Sequence, residues 1–129
     1  MPAPASISTL IVDDQMTMRA LVRAALNQIG ITEIREAPDG EAGLRSLVSS
    51  PANLVISDYN MPKLDGLGLL RAVRSYAPLK NTAFIMLTGR ADIDLVARAR
   101  QFGVNNYLVK PFTTQTLKQK ISEVFGPLG

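Results

Sequence analysis

Short, mainly apolar runs alternate along this chain with longer segments whose apolar residues recur every three or four positions. The runs predict buried strands, and the three-four spacing predicts amphipathic helices. The predicted strands lie at 7–12, 34–37, 54–56, 83–87 and 107–109. Because a helical segment follows every strand, we expect an α/β domain whose parallel sheet is covered by helices on both faces. The mixed polarity of 34–37 predicts an edge strand.

The predicted helices have apolar faces and end at residues that commonly stop a helix. Gly30, Gly103 and Gly126 follow the first, fourth and fifth helical segments, where glycine often ends a helix. The chain contains no repeat and no low-complexity tract, so we interpret residues 1–129 as one domain without an output domain. The apolar faces comprise Met18, Leu21, Val22, Ala25, Leu26 and Ile29, then Leu44, Leu47 and Val48, then Leu67, Leu70 and Val73, then Leu95, Val96, Ala99 and Phe102, and finally Leu117, Ile121, Val124 and Phe125.

The composition excludes several kinds of site. The 129 residues include no cysteine and no histidine, which rules out disulfides, zinc–thiolate centres and a histidine general base. The Lys and Arg residues behind the net charge of +3 are scattered, which argues against direct binding of nucleic acid. No apolar run approaches the roughly 20 residues that span a bilayer. No secretory signal is evident at the start of the chain, so we expect a cytoplasmic protein without membrane contact.

Polar side chains stand directly after four of the predicted strands. Asp13-Asp14 follow the first strand, Asp58 follows the third, Thr88-Gly89 follow the fourth, and Lys110-Pro111 follow the fifth. In open parallel sheets, ligands bind outside the carboxyl ends of the strands. We therefore expect these side chains to lie together, whereas the edge strand contributes no obvious site residue.

Charge limits what such a group of residues can do. Three carboxylates that lie close together repel one another unless Lys110 or a divalent cation neutralises them. Oxygen ligands without histidine or cysteine favour Mg²⁺, with Mn²⁺ as the alternative ion. Acids, a hydroxyl and a lysine around such an ion would stabilise a transferring phosphoryl group. A carboxylate nucleophile, for which Asp58 is the candidate, would then become an aspartyl phosphate.

These residues also carry a family resemblance over essentially the whole chain. The chain resembles the receiver domain of two-component response regulators, and most of all its single-domain CheY type of chemotaxis. The resemblance implies a flavodoxin-like, doubly wound (βα)5 sheet with strand order 2-1-3-4-5, and a cis peptide bond before Pro111. The motifs that carry it are Val12-Asp13-Asp14, Asp58-Tyr59-Asn60-Met61-Pro62, Asp65-Gly66, Thr88-Gly89, Tyr107 and Lys110-Pro111-Phe112.

The resemblance implies a role for each residue of the acid group and its neighbours. Asp58 matches the residue that accepts the phosphoryl group, and Lys110 matches the lysine that pairs with this acceptor and then with the phosphate. Asp14 and Asp58 match direct ligands of the metal ion. Asp13 matches a ligand that acts through water, and Asn60 matches a ligand that acts through its backbone carbonyl.

The resemblance also implies a conformational switch. Thr88 matches the hydroxyl that the phosphate draws inward, and Tyr107 matches the aromatic residue whose rotamer follows this threonine. These movements would shift a two-state equilibrium of the surface formed by the fourth helix, the fifth strand and the fifth helix. That partner surface is expected to include Ala91, Val96, Tyr107, Val109, Phe112 and Lys120.

The expected function is that of a stand-alone response regulator, which is not an enzyme beyond catalysing its own phosphorylation and dephosphorylation. A histidine kinase or a histidine phosphotransfer protein would supply the phosphoryl group, and a downstream protein would recognise the phosphorylated state, in chemotaxis or motility signalling. The alternative is a phosphorelay shuttle or phosphate sink in cell-cycle or stress signalling. Arg90 departs from the family beside the path of the hydrolytic water, and Ile93 departs where motor-binding chemotaxis proteins tend to carry a basic residue.

Two other classes of protein share parts of this pattern. Phosphohydrolases with an aspartate nucleophile place a second acid two residues after it, where this chain has Asn60. Flavin-binding electron carriers of the same fold class need a hydroxyl- and glycine-rich phosphate loop after the first strand. Asp13-Asp14-Gln15 would instead repel a phosphate that arrives without a metal ion. Both departures favour the receiver domain.

Overall fold

The computed structural model describes residues 3–89 and 93–128, and in these ranges strands and helices alternate along the chain. The strands are β1 (Thr9–Val12), β2 (Ile34–Ala37), β3 (Leu54–Asp58), β4 (Ala83–Thr88) and β5 (Asn106–Val109). The helices are α1 (Met16–Ile29), α2 (Gly40–Ser49), α3 (Gly66–Ser75), α4 (Ile93–Gln101) and α5 (Thr114–Phe125). Short 3-10 helices lie at Pro4–Ser6 and Ala77–Leu79.

The strands form one parallel sheet in the order β2-β1-β3-β4-β5, which confirms the predicted doubly wound α/β fold. β1 pairs with two neighbours, so that Val12 lies opposite Ala37 on one side and Ser57 on the other. The chain adds β2 on one side of β1 and then β3 to β5 on the other side. The strand order therefore reverses at β1, and a ligand-binding crevice is expected outside the carboxyl ends of β1 and β3.

Each face of the sheet is covered by helices, and alternate residues of a strand contribute to opposite faces. In β1, Ile11 belongs to the core beneath α1 and α5, whereas Leu10 and Val12 belong to the core beneath α2 and α3. Every residue of β4 is buried. Burial on both faces explains why the central strands are mainly apolar. None of the helices in the described ranges is long and apolar enough to cross a membrane.

Two residues on the predicted apolar helix faces are exposed, so their predicted burial is wrong. Leu21 of α1 is 59% exposed, and Val48 of α2 is 49% exposed. In α1, the buried stripe that packs against the sheet consists of Val22, Ala25 and Leu26. A helix buries the stripe that its neighbours reach, so an apolar residue at the margin of that stripe remains in contact with water.

The side chain of Arg74, near the end of α3, forms hydrogen bonds with the segment just before β4 and with the loop between α4 and β5. Its guanidinium donates hydrogen bonds to the backbone oxygens of Lys80 at 3.0 Å and Thr82 at 2.7 Å. It also donates to the backbone oxygen of Gly103 at 2.9 Å and to Oδ1 of Asn105 at 2.9 Å. Burial lowers the pKa of Arg74, and all four acceptors are neutral, so hydrogen bonds rather than an ion pair compensate its lost hydration.

We expect Arg74→Met to lower the free energy of unfolding by about 2–3 kcal/mol, because several carbonyl oxygens lose a charged donor. Arg71→Met, one turn earlier on α3, is the matched control. Arg71 is exposed and lies 4.7 Å from the centroid of the Phe102 ring, a contact whose loss should cost less than about 1 kcal/mol. Urea unfolding measures both values, and equal losses in the two variants would contradict the assignment.

Candidate metal site

The carboxyl ends of four strands bring the predicted residues to one edge of the sheet. The register of β1 and β3 makes Asp13 and Asp58 leave the sheet side by side. The register of β3, β4 and β5 places Thr88 and Lys110 at the same edge. The backbone N–H of Lys110 donates to the backbone oxygen of Thr88 at 2.8 Å. The predicted proximity of these residues is thus a direct result of strand register.

Asp58 is the last residue of β3 and is 7% exposed. The Lys110 ammonium nitrogen Nζ lies 3.0 Å from Oδ1 of Asp58. The same oxygen accepts a hydrogen bond from the backbone N–H of Tyr59 at 2.9 Å. This pairing supplies the opposite charge that a buried carboxylate requires. The peptide bond between Lys110 and Pro111 is cis, as the resemblance implies.

Asp13 is fully buried, and one of its carboxylate oxygens lacks a partner. Oδ1 accepts a hydrogen bond from the backbone N–H of Gln15 at 2.9 Å. Oδ2 is buried and has no hydrogen-bond partner in the described part of the chain. Burial raises the pKa of the Asp13 carboxyl, the hydrogen bond from Gln15 opposes this shift, and the nearby charge of Asp58 adds to it. A buried carboxylate oxygen without a donor is costly unless a cation approaches it.

Asp13, Asp14 and Asp58 form the acid group of the site. Each offers a carboxylate oxygen, and these oxygens lie within 4.8 Å of one another. Asp13 and Asp58 are buried, whereas Asp14 is exposed, so the group is open to solvent on one side. Oxygen ligands, an unpaired Oδ2 and partial access to water together fit a hard divalent cation that retains several of its waters.

The loop after β3 is held close against Asp58. The backbone N–H of Gly66 donates to the backbone oxygen of Tyr59 at 2.9 Å. A Cβ atom at residue 66 would collide with the backbone oxygen of Asp58 and with the sulfur of Met86. Glycine is therefore needed here for steric reasons. Asn60 lies in this loop, exposed, two residues after Asp58.

The two residues of the predicted switch occupy neighbouring strands. Thr88 ends β4 and is 5% exposed. Tyr107 of β5 is half-buried and packs against the core beneath α2 and α3. The ammonium nitrogen of Lys120 lies 5.0 Å from the centroid of the Tyr107 ring, within the range of a cation–π contact. The structure thus links Tyr107 to α5 through Lys120.

The described part of the chain contains three further residues that were predicted for the partner surface. Val96 on α4 and Val109 on β5 are half-buried. Phe112 packs against the core beneath α1 and α5 and lines a hollow with Met18 and Leu21 of α1. Outside the part of the chain that the structure describes lie Arg90, Ala91 and the side chain of Ile93.

Arg19 contacts the acid group, although the sequence analysis did not single it out. Its Nη1 donates to the backbone oxygen of Asp13 at 2.6 Å, and its Nε donates to Glu36 of β2 at 3.0 Å. Arg23 holds the other carboxylate oxygen of Glu36 at 2.7 Å. The edge strand therefore does contribute to the site, indirectly. Two arginines four residues apart share one helix face, and this spacing was the available signal.

We expect Asp13→Asn to stabilise the metal-free protein at neutral pH, because burial raises the pKa of the Asp13 carboxyl. The folded state favours the protonated form, so wild type loses stability as the pH rises through the raised pKa. The gain of the variant should be full above that pKa and should vanish below the ordinary pKa of an aspartate. Urea unfolding in EDTA across this pH range measures the difference.

The control for this experiment is Asp14→Asn, which removes the charge of the exposed member of the acid group. Because this side chain remains in water, its replacement should give a smaller gain at neutral pH than Asp13→Asn. An Asp13→Asn variant that is less stable than wild type at neutral pH would contradict the prediction.

Comparisons with known proteins identify relatives over nearly the whole chain. A family model described as the response regulator receiver domain matches residues 9–122. A Rhizobium etli protein named "Probable chemotaxis protein CheY" is 52% identical over 122 residues, which cover 95% of each chain. The chemotaxis protein CheY of Pseudomonas aeruginosa is 45% identical over 116 residues, which cover 90% of this chain and 94% of the relative.

A solved structure gives the same answer in three dimensions. The chemotaxis protein CheY4 of Vibrio cholerae superposes with a TM-score of 0.85 and is 31% identical. The superposition covers 96% of this chain and 99% of the CheY4 chain. Sequence identity, the family model and the strand order agree with the geometry of the acid group. The chain belongs to the family of response regulator receiver domains.

Proposed function

We propose that this chain is a phosphorylation switch of a two-component pathway, in which Asp58 accepts a phosphoryl group from a partner's phosphohistidine with Mg²⁺ bound. The observation that carries the proposal is that Asp58, 3.0 Å from Lys110, belongs to a group of three carboxylates. Such a group provides a nucleophile, a cation and metal ligands at one place. Membership of the receiver family supports the same chemistry.

Each residue has a distinct part in the proposed transfer. Mg²⁺, held directly by Asp14, Asp58 and the backbone carbonyl of Asn60 and through water by Asp13, would neutralise charge on the carboxylates and on the phosphoryl oxygens. Asp58 supplies the attacking carboxylate oxygen, and the bond from phosphorus to the donor nitrogen breaks as the acyl phosphate forms. Lys110 is already at hydrogen-bond distance from Asp58, so its ammonium can pass from the carboxylate to a phosphoryl oxygen.

The phosphoryl donor is a histidine kinase or a histidine phosphotransfer protein. This chain contains no histidine, so the phosphohistidine has to come from a partner. Helix α1 starts two residues after Asp14 and exposes apolar side chains, with Met16 74% and Leu21 59% exposed. Exposed apolar side chains on a helix that starts next to the acid group suit a protein partner whose histidine must reach Asp58.

The output is proposed to pass through Thr88, Tyr107 and the surface of α4, β5 and α5. The acyl phosphate adds nearly two negative charges at the strand ends. Thr88 lies at this edge, and Tyr107 is coupled to α5 through the Lys120 ammonium. The CheY names of the relatives support chemotaxis as the pathway. A downstream protein partner would then recognise the phosphorylated surface.

Incubation of wild type with Mg²⁺ and acetyl phosphate should add one phosphoryl group. No partner protein is needed, because the acid group contains both the nucleophile and the ligands of the metal ion. Asp58→Asn should add none, since the amide is a poor nucleophile of nearly the same shape. Intact-protein mass spectrometry measures both. Equal labelling of the two proteins would contradict the proposal.

Two controls connect this labelling to the site. EDTA should abolish labelling of wild type, because the acids then lack the cation that neutralises them. Asp65→Asn is the matched control, since it alters an exposed carboxylate that caps α3 and should leave labelling intact. Steady release of phosphate from phosphorylated metabolites at enzyme-like rates would instead favour a phosphohydrolase.

Beryllium fluoride with Mg²⁺, which mimics an acyl phosphate, should shift the backbone amide signals of Thr88, Tyr107, Val109 and Lys120 in nuclear magnetic resonance spectra. The reason is that the mimic adds negative charge at the strand ends and biases a two-state surface. Signals from α2 should move little, and Asp58→Asn should show no shift. Shifts confined to the immediate neighbours of Asp58 would contradict output through α4, β5 and α5.

A further inference from the structure

We infer that Arg19 is a positioning residue for the acid group, acting through the backbone of Asp13. The inference rests on the proposed function, because Asp13 matters there as part of the metal site. It concerns a residue outside the ligand set, located on α1 and held in place by β2.

The contacts of Arg19 connect three elements of the fold. Nη1 donates to the backbone oxygen of Asp13 at 2.6 Å, and Nε donates to Oε1 of Glu36 at 3.0 Å. The side chain is 15% exposed. A guanidinium has its donors in one rigid plane, so holding Nε on Glu36 fixes the direction in which Nη1 points.

Glu36 is itself held in one orientation. Oε2 accepts from Nε of Arg23 at 2.7 Å, while Oε1 is taken by Arg19. The hydrogen bond from Arg23, assisted by that from Arg19, lowers the pKa of Glu36. The carboxylate therefore stays charged at neutral pH and provides a fixed anchor on β2 for the Arg19 guanidinium.

With Arg19 in place, Asp13 is held at three atoms. Its backbone N–H donates to Ala37 at 3.1 Å, its backbone oxygen accepts from Arg19, and its Oδ1 accepts from the backbone N–H of Gln15 at 2.9 Å. The remaining oxygen, Oδ2, is buried and has no partner in the described ranges. Fixing the other polar atoms holds the Asp13 carboxylate in the place where one of its oxygens lies within 4.8 Å of oxygens of Asp14 and Asp58.

The charge of Arg19 would by itself have the opposite effect. A guanidinium near three carboxylates repels a divalent cation, so its removal should strengthen metal binding if charge were its only influence. If Arg19 positions Asp13, its removal should weaken metal binding. The sign of the change in Mg²⁺ affinity therefore separates a positioning role from a purely electrostatic one.

Isothermal titration with Mg²⁺ of wild type and Arg19→Met tests the inference. We expect the affinity of the variant to fall by about tenfold, the lower end of the range for residues that orient metal ligands. Arg35→Met is the matched control, because it removes an arginine from β2 whose guanidinium donates to the backbone oxygen of Ser50 at 2.6 Å, while Glu36 and Asp13 keep their arginine partners. The Mg²⁺ affinity of this control should stay within about twofold of the wild-type affinity.

Two further variants keep the test independent of stability. Arg19→Lys retains the charge and can donate to the Asp13 oxygen, so it should recover part of the affinity. Arg19→Gln replaces Arg19→Met if thermal unfolding shows that the methionine variant does not fold. In metal-free protein, substitution of Arg19 should shift the amide signals of Asp14 and Gln15, whereas Arg35→Met should not.

The outcomes separate this inference from the proposed function. If wild type binds Mg²⁺ and a folded Arg19→Met binds it equally or more tightly, the positioning role is overturned and the phosphorylation switch stands. If the amide signals of Asp14 and Gln15 do not move in metal-free Arg19→Met, the positioning role is also overturned. If wild type binds no Mg²⁺, the proposed metal site is overturned, together with the inference that depends on it.

Discussion

Carboxylate oxygens of Asp13, Asp14 and Asp58 crowd within 4.8 Å of one another at the end of β1 and β3. Like charges at this separation repel strongly in a partly buried site, and the repulsion must be balanced by the fold. Lys110, drawn from β5, balances part of it through Asp58 at 3.0 Å. The sheet order places these strand ends together, so the architecture imposes the electrostatic conflict and also supplies part of its compensation.

The negative charge that Lys110 does not balance makes the site suitable for a cation. Oδ2 of Asp13 is buried without a donor in the described residues, and burial raises the pKa of that carboxyl. The metal-free site is therefore less stable than a core of neutral residues would be, and a divalent cation would relieve this cost. Arg19 and Glu36 connect Asp13 to the edge strand by hydrogen bonds, and this strand lies two strands away from Asp58, the proposed phosphoryl acceptor.

Much of the fold could be predicted from the sequence, because burial of the strands on both faces produces mainly apolar runs that a simple pattern detects. The same pattern locates the ends of the strands. It therefore also predicted that Asp13, Asp58, Thr88 and Lys110 lie at one edge of the sheet. Burial of Leu21 was predicted wrongly, since periodicity defines a helix face but not the width that neighbouring elements cover. The hydrogen bond from Arg19 to the Asp13 backbone was missed, because a side-chain contact with a carbonyl leaves no compositional signal.

The central claim is that Asp58 itself becomes an acyl phosphate, and chemical mapping of the phosphorylated residue tests it most directly. Wild type is treated with acetyl phosphate and Mg²⁺, reduced with borohydride, and digested for peptide mass spectrometry. Borohydride converts an aspartyl phosphate to homoserine, so we expect homoserine at residue 58 and unmodified aspartate at residues 13 and 14. Homoserine at either of those acids, or a phosphate retained on a serine or threonine, would contradict the claim.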